Sequence, residues 1–161
     1  MPQEKRKKEL ILFIGPQASG KTSFYLERFS LTHAHVSLDR FGRKKNKRHK
    51  EWNLIRENLA AGKPTVVDNT NPSRESRLRY FELARESGAR VLGYFFAEGK
   101  EECLRRNRDR PEWERVPEVA IHSTFSKIEP PSLEEGFAEL YEVRPLGSSF
   151  RVRRLGKASR S

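Results

Sequence analysis

Leu10-Ile11-Leu12-Phe13-Ile14-Gly15-Pro16-Gln17-Ala18-Ser19-Gly20-Lys21-Thr22 decides the fold of this 161-residue chain. Five apolar residues run directly into a glycine, the pattern of a strand buried on both faces that ends in a turn. Gly15 and Gly20 bracket four residues and Lys21-Thr22 follows, which completes the phosphate-cradling pattern G-x-x-x-x-G-K-[ST]. Backbone N–H groups can converge on phosphate oxygens only where no side chain intervenes, and glycine also supplies positive φ. Lys21 would reach the outer phosphates as a point charge, the Thr22 hydroxyl would coordinate Mg²⁺, and a helix starting near Gly20 would add its N-terminal dipole. Gly15, Pro16, Gln17, Ala18, Ser19, Gly20, Lys21 and Thr22 are thus expected to bind a triphosphate. The motif by itself does not separate a kinase from a nucleotide-driven switch.

Working outward, residues 20–30 read as a helix that packs Phe24, Leu26 and Phe29 on a sheet, and 33–38 as a second strand ending at Asp39. The basic run 40–50 reads as a surface loop tipping into a helix near His49, with Trp52, Ile55 and Leu59 on it. Thr65-Val66-Val67 forms a third strand leading into Asp68-Asn69-Thr70-Asn71. Pro72 and Ser73 open a helix that turns Leu78, Phe81 and Leu83 inward and stops at Gly88. A fourth strand (89–97), helices at 100–107 and 117–128 around a basic loop, and a hairpin at 138–146 and 150–155 complete the pattern. Such alternation predicts an α/β fold with a mostly parallel central sheet and helices on both faces. Its site would lie at the carboxyl ends of the strands, where Gly15, Asp39 and Asp68 all fall. The length predicts one domain over 1–161, with basic tails at 1–8 and 156–161.

The net charge of +11 is unevenly spread: 21 of the 33 basic residues lie in 5–8, 40–50, 105–115 and 151–160. A single charge run reads as a solvated face, but four that converged would form the electrostatic footprint of a nucleic-acid partner. The lone Cys103 excludes an internal disulfide and a cysteine-based zinc site, leaving oxygen ligands for any metal. No apolar run approaches membrane-spanning length, and the apolar stretch after the basic start is too short for a signal peptide, so a cytoplasmic protein without membrane contact is expected.

An aspartate after a strand is often a cap or an Asx turn. In phosphoryl transfer, however, a carboxylate beside the attacking hydroxyl can take its proton, and Asp39 is the candidate base. Asp68 could hold the acceptor or hydrated Mg²⁺. Arginines at 105–115 would neutralise the transferring phosphoryl group from a closing lid, or simply be solvated. Arg106 and Arg110 would stand one turn apart on a helix, although Pro111 disfavours helical geometry at Arg110.

At these residues the sequence resembles the 5′-hydroxyl polynucleotide kinase family, P-loop enzymes that move the γ-phosphate of ATP onto a nucleic-acid 5′ end. The likeness rests on residues 15–22, Asp39, Val67-Asp68-Asn69-Thr70-Asn71-Pro72, Arg105-Arg106-Asn107 and Glu129-Pro-Pro-Ser-Leu-Glu-Glu-Gly-Phe137. The third and fifth of these are the most particular and resemble the kinase domain of animal end-repair enzymes. The resemblance implies a P-loop kinase fold with an arginine-rich helical lid, ATP or another NTP with Mg²⁺ at Lys21 and Thr22, and Asp39 as base. It also implies Arg106 and Arg110 in the lid and Asp68 by the acceptor, with Asn69, Asn71 and Arg43 as further acceptor contacts. The phage member carries an arginine three residues after its base, where this chain has Gly42. The kinase alone accounts for the length, so 3′-end repair would fall to separate phosphatase or ligase partners. A P-loop kinase of a small metabolite and a non-catalytic, nucleotide-switched nucleic-acid-binding module are the competing readings.

Overall fold

The computed structural model describes residues 8–42 and 45–159. Six strands form one sheet: β1 (Glu9–Ile14), β2 (Ala34–Val36), β3 (Thr65–Val67), β4 (Arg90–Phe96), β5 (Glu139–Leu146) and β6 (Ser149–Lys157). Their spatial order is β2-β3-β1-β4-β5-β6, parallel throughout except for β6, which runs antiparallel to β5 at the edge. The helices are α1 (Lys21–Arg28), α2 (Lys47–Ala60), α3 (Arg74–Ser87), α4 (Lys100–Asp109) and α5 (Glu118–Lys127).

β1 is central, hydrogen-bonded to β3 on one side and β4 on the other, and this explains its unbroken apolar run. Successive side chains alternate between faces. Leu10, Leu12 and Ile14 enter one core with Ile55 and Leu59 of α2 and Tyr80 and Leu83 of α3. Ile11 and Phe13 enter the other with Phe24 and Tyr25 of α1. There the Phe13 ring lies 5.7 Å from Phe24 and 5.1 Å from Phe96, centroid to centroid. A third, smaller cluster of Cys103, Leu104 and Ile121 joins α4 to α5 as a helical pair of its own.

Several elements differ from the sequence expectation. β2 stops at Val36, and Asp39 lies in a short 3-10 turn, Leu38–Phe41, capped by the Ser37 hydroxyl, which accepts from Asp39 N at 3.3 Å. α2 starts at Lys47, so Lys47, Arg48 and Lys50 are helical rather than part of a loop. Leu26 and Leu78, expected inward, are exposed. On α3 the buried positions are instead Arg77, Tyr80, Leu83 and Ala84, a stripe that includes a charge. α4 continues past Asn107 to Asp109. β6 runs to Lys157, with Gly156 opposite Leu140 and Lys157 opposite Glu139, so the tail expected from 156 begins only after these paired residues.

Arg77 explains the particular sequence of residues 129–137. Its guanidinium is fully buried and meets the Glu135 carboxylate through two bonds, Nε to Oε1 at 2.8 Å and Nη2 to Oε2 at 3.1 Å. Nη1 donates to the carbonyls of Asn71 (2.9 Å) and Pro72 (3.2 Å), and Ser132 N donates to Glu135 Oε2. Phe137 fills the space above Gly93, where an added Cβ would stand 2.8 Å from its ring. The Pro-Pro-Ser-Leu-Glu-Glu-Gly-Phe segment thus anchors the loop that follows β3.

Removing one partner of a buried ion pair strands the other charge. Arg77→Ala is expected to lower unfolding free energy in urea by about 3–5 kcal/mol. Arg77→Met combined with Glu135→Leu should recover most of that loss, and a single-variant loss below about 1 kcal/mol would contradict this assignment.

Candidate active site

The loop between β1 and α1 turns tightly because its neighbours leave no alternative. A Cβ on Gly15 would sit 2.8 Å from Phe96 Cβ, and Gly20 has φ +94° with the Phe150 ring 3.0 Å from its would-be Cβ. Ser19 Oγ donates to Pro16 O at 2.7 Å, and Gly15 N donates to Thr70 O at 3.0 Å, tying the loop to the segment after β3. Lys21 is 9 % exposed, and its Nζ donates to the carbonyls of Gly15 (3.0 Å) and Pro16 (2.6 Å). Burial pulls its pKa down to about 8, and the neighbouring Arg110 pulls the same way, while Asp68 and Asp39 partly offset this.

Thr22 and Asp68 meet directly: Thr22 Oγ1 donates to Asp68 Oδ2 at 2.9 Å. His35 Nε2 lies 2.8 Å from the same oxygen, and Asp68 N donates to Val36 O at 2.7 Å. Asp68 is only 6 % exposed, so two hard oxygen donors, one from the first turn of α1 and one from just past β3, are held side by side. Among the described residues no group of three or more His, Cys, Asp or Glu side chains is placed to bind a metal.

A cavity of about 360 Å³ opens over this pair. Lys21, Thr22, Asp39, Asp68 and Arg110 all line it, as do Gln17, Ala18, Gly20, Asn69 and Asn71. Of the three strand-end residues, Asp39 and Asp68 line this cavity, whereas Gly15, with Pro16 and Ser19, is not among its lining residues. Arg110 faces the cavity in extended geometry (φ −72°, ψ 152°) just beyond α4, not on a helix with Arg106. Arg106 instead points at the phosphate loop: a Cβ on Gly20 would lie 3.8 Å from its Nη1, and Glu98 and Glu102 flank the guanidinium. Arg43 lies outside the described residues.

Asn69 and Asn71 border the cavity, but their amides are bound to protein. Asn71 Nδ2 donates to Phe13 O at 2.8 Å. Asn69 Oδ1 accepts from Leu38 N at 2.9 Å, and its Nδ2 donates to Glu51 Oε2 at 2.7 Å. Glu51 is fully buried and also accepts from Tyr80 OH at 2.5 Å. Through this chain the turn carrying Asp39 is fixed to α2 and α3.

The sequence reading missed Lys47 and Arg48, which line the same cavity, and the Glu51–Tyr80 and His35 supports. Glu51 stands four residues before Ile55 and eight before Leu59, on their stripe. A carboxylate on an apolar stripe was the available signal. His35 carried no comparable mark.

Residues 10–131 match the family model described as AAA domain. The chain belongs to this family. The matched span takes in the phosphate loop, Lys21, Thr22 and Asp68 and stops short of the β5–β6 hairpin. Over 82 residues the chain is 38 % identical to a protein of Acanthamoeba polyphaga mimivirus named as a bifunctional polynucleotide phosphatase/kinase, covering 51 % of this chain and 19 % of that one. Over 91 residues it is 33 % identical to the bifunctional polynucleotide phosphatase/kinase of Schizosaccharomyces pombe, covering 54 % and 22 %. The chain thus spans about a fifth of the length of these relatives. A fungal RNA kinase superposes with a TM-score of 0.69 at 15 % identity, over 88 % of this chain and 78 % of that one, a likeness of fold. No helix among the described residues is long and apolar enough to cross a membrane.

The lowered Lys21 pKa sets a pH dependence for this AAA domain. Below about 8 the ammonium is present in the free protein. Above that value it is neutral until a bound phosphate restores the charge, so binding takes up a proton. Affinity for nucleotide should then fall up to about tenfold per pH unit above 8, with proton uptake visible by calorimetry in buffers of different ionisation heat. Affinity that stays flat between pH 7 and 9.5, with no proton uptake, would contradict this electrostatic assignment.

Proposed function

We propose that this chain is an ATP- and Mg²⁺-dependent kinase that phosphorylates the 5′-hydroxyl ends of DNA or RNA. The observation that carries the reading is that Asp39 lines the same cavity as Lys21 and Thr22 of the phosphate loop. Support also comes from the curated relatives, both named for polynucleotide kinase activity, and from the net charge of +11.

The roles follow from position. Asp39 takes the proton of the terminal 5′-hydroxyl, whose oxygen then attacks the γ-phosphorus of ATP. The bond from that phosphorus to the β–γ bridging oxygen breaks, and ADP leaves with the electron pair. Lys21 and the backbone N–H groups of residues 17–22 hold the phosphates, while Arg106 and Arg110 neutralise charge that builds on the transferring group. Thr22 and Asp68 are hard oxygen donors that suit Mg²⁺, which prefers few protein ligands and completes its shell with water and phosphate. When bound, the ion neutralises phosphate charge. Arg48 and Lys47 present cations to the acceptor. Residues 1–161 act as a single domain in the cytoplasm, and a phosphatase or ligase activity accompanies the kinase in 3′-end processing or ligation.

Incubation with γ-labelled ATP, Mg²⁺ and matched 5′-hydroxyl and 5′-phosphate oligonucleotides tests the reading. Label should pass to the 5′-hydroxyl strand alone, and Asp39→Asn should lower kcat on the order of a hundredfold or more with nucleotide affinity kept. ATP binding without label transfer to any 5′-hydroxyl end would overturn it.

A further inference from the structure

The basic runs at 40–50 and 105–115 supply Lys47, Arg48 and Arg110 to the cavity, whereas among the described residues the run at 151–160 supplies none. It forms β6 instead. Side chains alternate along the ribbon of β5 and β6. Val143 and Val152 turn to the core that holds Phe24 and Tyr25 of α1, and Glu142, Arg144, Arg151 and Arg153 stand together on the other face, around an open hollow of about 290 Å³. Arg144 and Arg151 are directly opposite in the ladder, as are Glu142 and Arg153. The one carboxylate is already engaged: it accepts from Arg144 Nε at 2.9 Å and from Arg153 Nη2 at 3.4 Å. Arg151 has no acid within ion-pairing distance among the described residues.

Like charges directly across an antiparallel pair destabilise it. Charged side chains commonly guard an exposed edge strand against pairing with another chain, which accounts for Arg151 and Arg153 on β6. Arg144 falls outside that account, because β5 is paired on both sides, to β4 and to β6. Three guanidinium groups around a single carboxylate leave cationic charge that a phosphate between Arg144 and Arg151 would neutralise, and the planar forks match phosphate oxygens in pairs. The side chains of Arg144 and Arg153 are more than half exposed, so the face suits a backbone lying across it better than an enclosed small ligand. No aromatic ring lines the hollow to stack a base.

We infer that this face of the β5–β6 hairpin is an accessory nucleic-acid surface, which holds the sugar-phosphate backbone of a strand without reading its bases. Arg144 and Arg151 take the phosphates, and Glu142 keeps Arg144 and Arg153 in place. The sheet order sets β5 four strands from β2, roughly 19 Å from the strand that leads to Asp39, so the surface is separate from the cavity. It also lies outside the span that matches the AAA domain, and it does not depend on the kinase reading.

The test measures binding of a single-stranded oligonucleotide with a 5′-phosphate, and so no 5′-hydroxyl to phosphorylate, by fluorescence anisotropy of the full chain over a range of salt without ATP. Arg144→Gln combined with Arg151→Gln is compared with the wild type and with a charge-matched control, Lys63→Gln combined with Lys127→Gln, two exposed lysines elsewhere. The arginine variant should bind roughly tenfold more weakly at low salt, with a log-log salt slope shallower by about 0.7–1.4, the equivalent of one or two phosphates. The lysine variant should stay near the wild type. Loss of opposed like charges should leave the melting temperature of the free protein unchanged or higher, and Arg151→Gln alone, which breaks no ion pair, should remove about one phosphate's share of the slope. Equal losses in the two double variants would assign the attraction to the overall charge of the chain and overturn the proposal. Displacement of the strand from the wild type by inorganic phosphate, at matched phosphate concentration and constant ionic strength, would assign the face to a small anion and overturn it as well.

Discussion

One carboxylate oxygen, Asp68 Oδ2, receives the Thr22 hydroxyl and contacts His35 Nε2, and the rest of the site depends on that junction. It fastens the start of α1 to the ends of the paired strands β2 and β3. A parallel sheet sends every strand's carboxyl end to the same rim, and short loops there bring residues distant in sequence into one crevice. Asp68 N bonded to Val36 O continues the ladder one step past β3, which fixes where its side chain leaves the sheet.

Around the junction, two buried ionic groups hold the loops in place. Glu51 accepts from Asn69 and Tyr80, and Asn69 in turn accepts from Leu38 N beside Asp39. Arg77 grips the Asn71 and Pro72 carbonyls while paired to Glu135. Buried ion pairs add little net stability, because desolvation offsets their attraction. Here each instead sets the path of a loop that borders the cavity. The hairpin contributes too, since Phe150 closes on Gly20 and the Arg28 guanidinium bonds its carbonyl at 3.1 Å.

The sequence made the scaffold legible where local pattern and physical demand coincide. The apolar run of β1, the glycines of the loop and the Thr65-Val66-Val67 strand each follow from what their own residues can do. Periodicity failed where a polar residue occupies a core position: Arg77 displaced the expected Leu78, and Glu51 shares a stripe with Ile55 and Leu59. Their burial is tolerable only through partners far along the chain, Glu135 and Tyr80, which no local window contains. Arg110 behaved as Pro111 dictates, leaving the helix yet still lining the cavity. Arg48 was hidden because a run of basic residues reads as loop, whereas from Lys47 onward it is helical.

The central claim is that a terminal hydroxyl can stand between Asp39 and the phosphate loop. A crystal structure with a non-hydrolysable ATP analogue, Mg²⁺ and a 5′-hydroxyl trinucleotide measures this directly. The account predicts the 5′ oxygen about 2.6–3.2 Å from the Asp39 carboxylate and about 3–3.5 Å from the γ-phosphorus, opposite the bridging oxygen. A trinucleotide seated with that oxygen beyond reach of Asp39, or triphosphate bound away from Lys21 and Thr22, would contradict it.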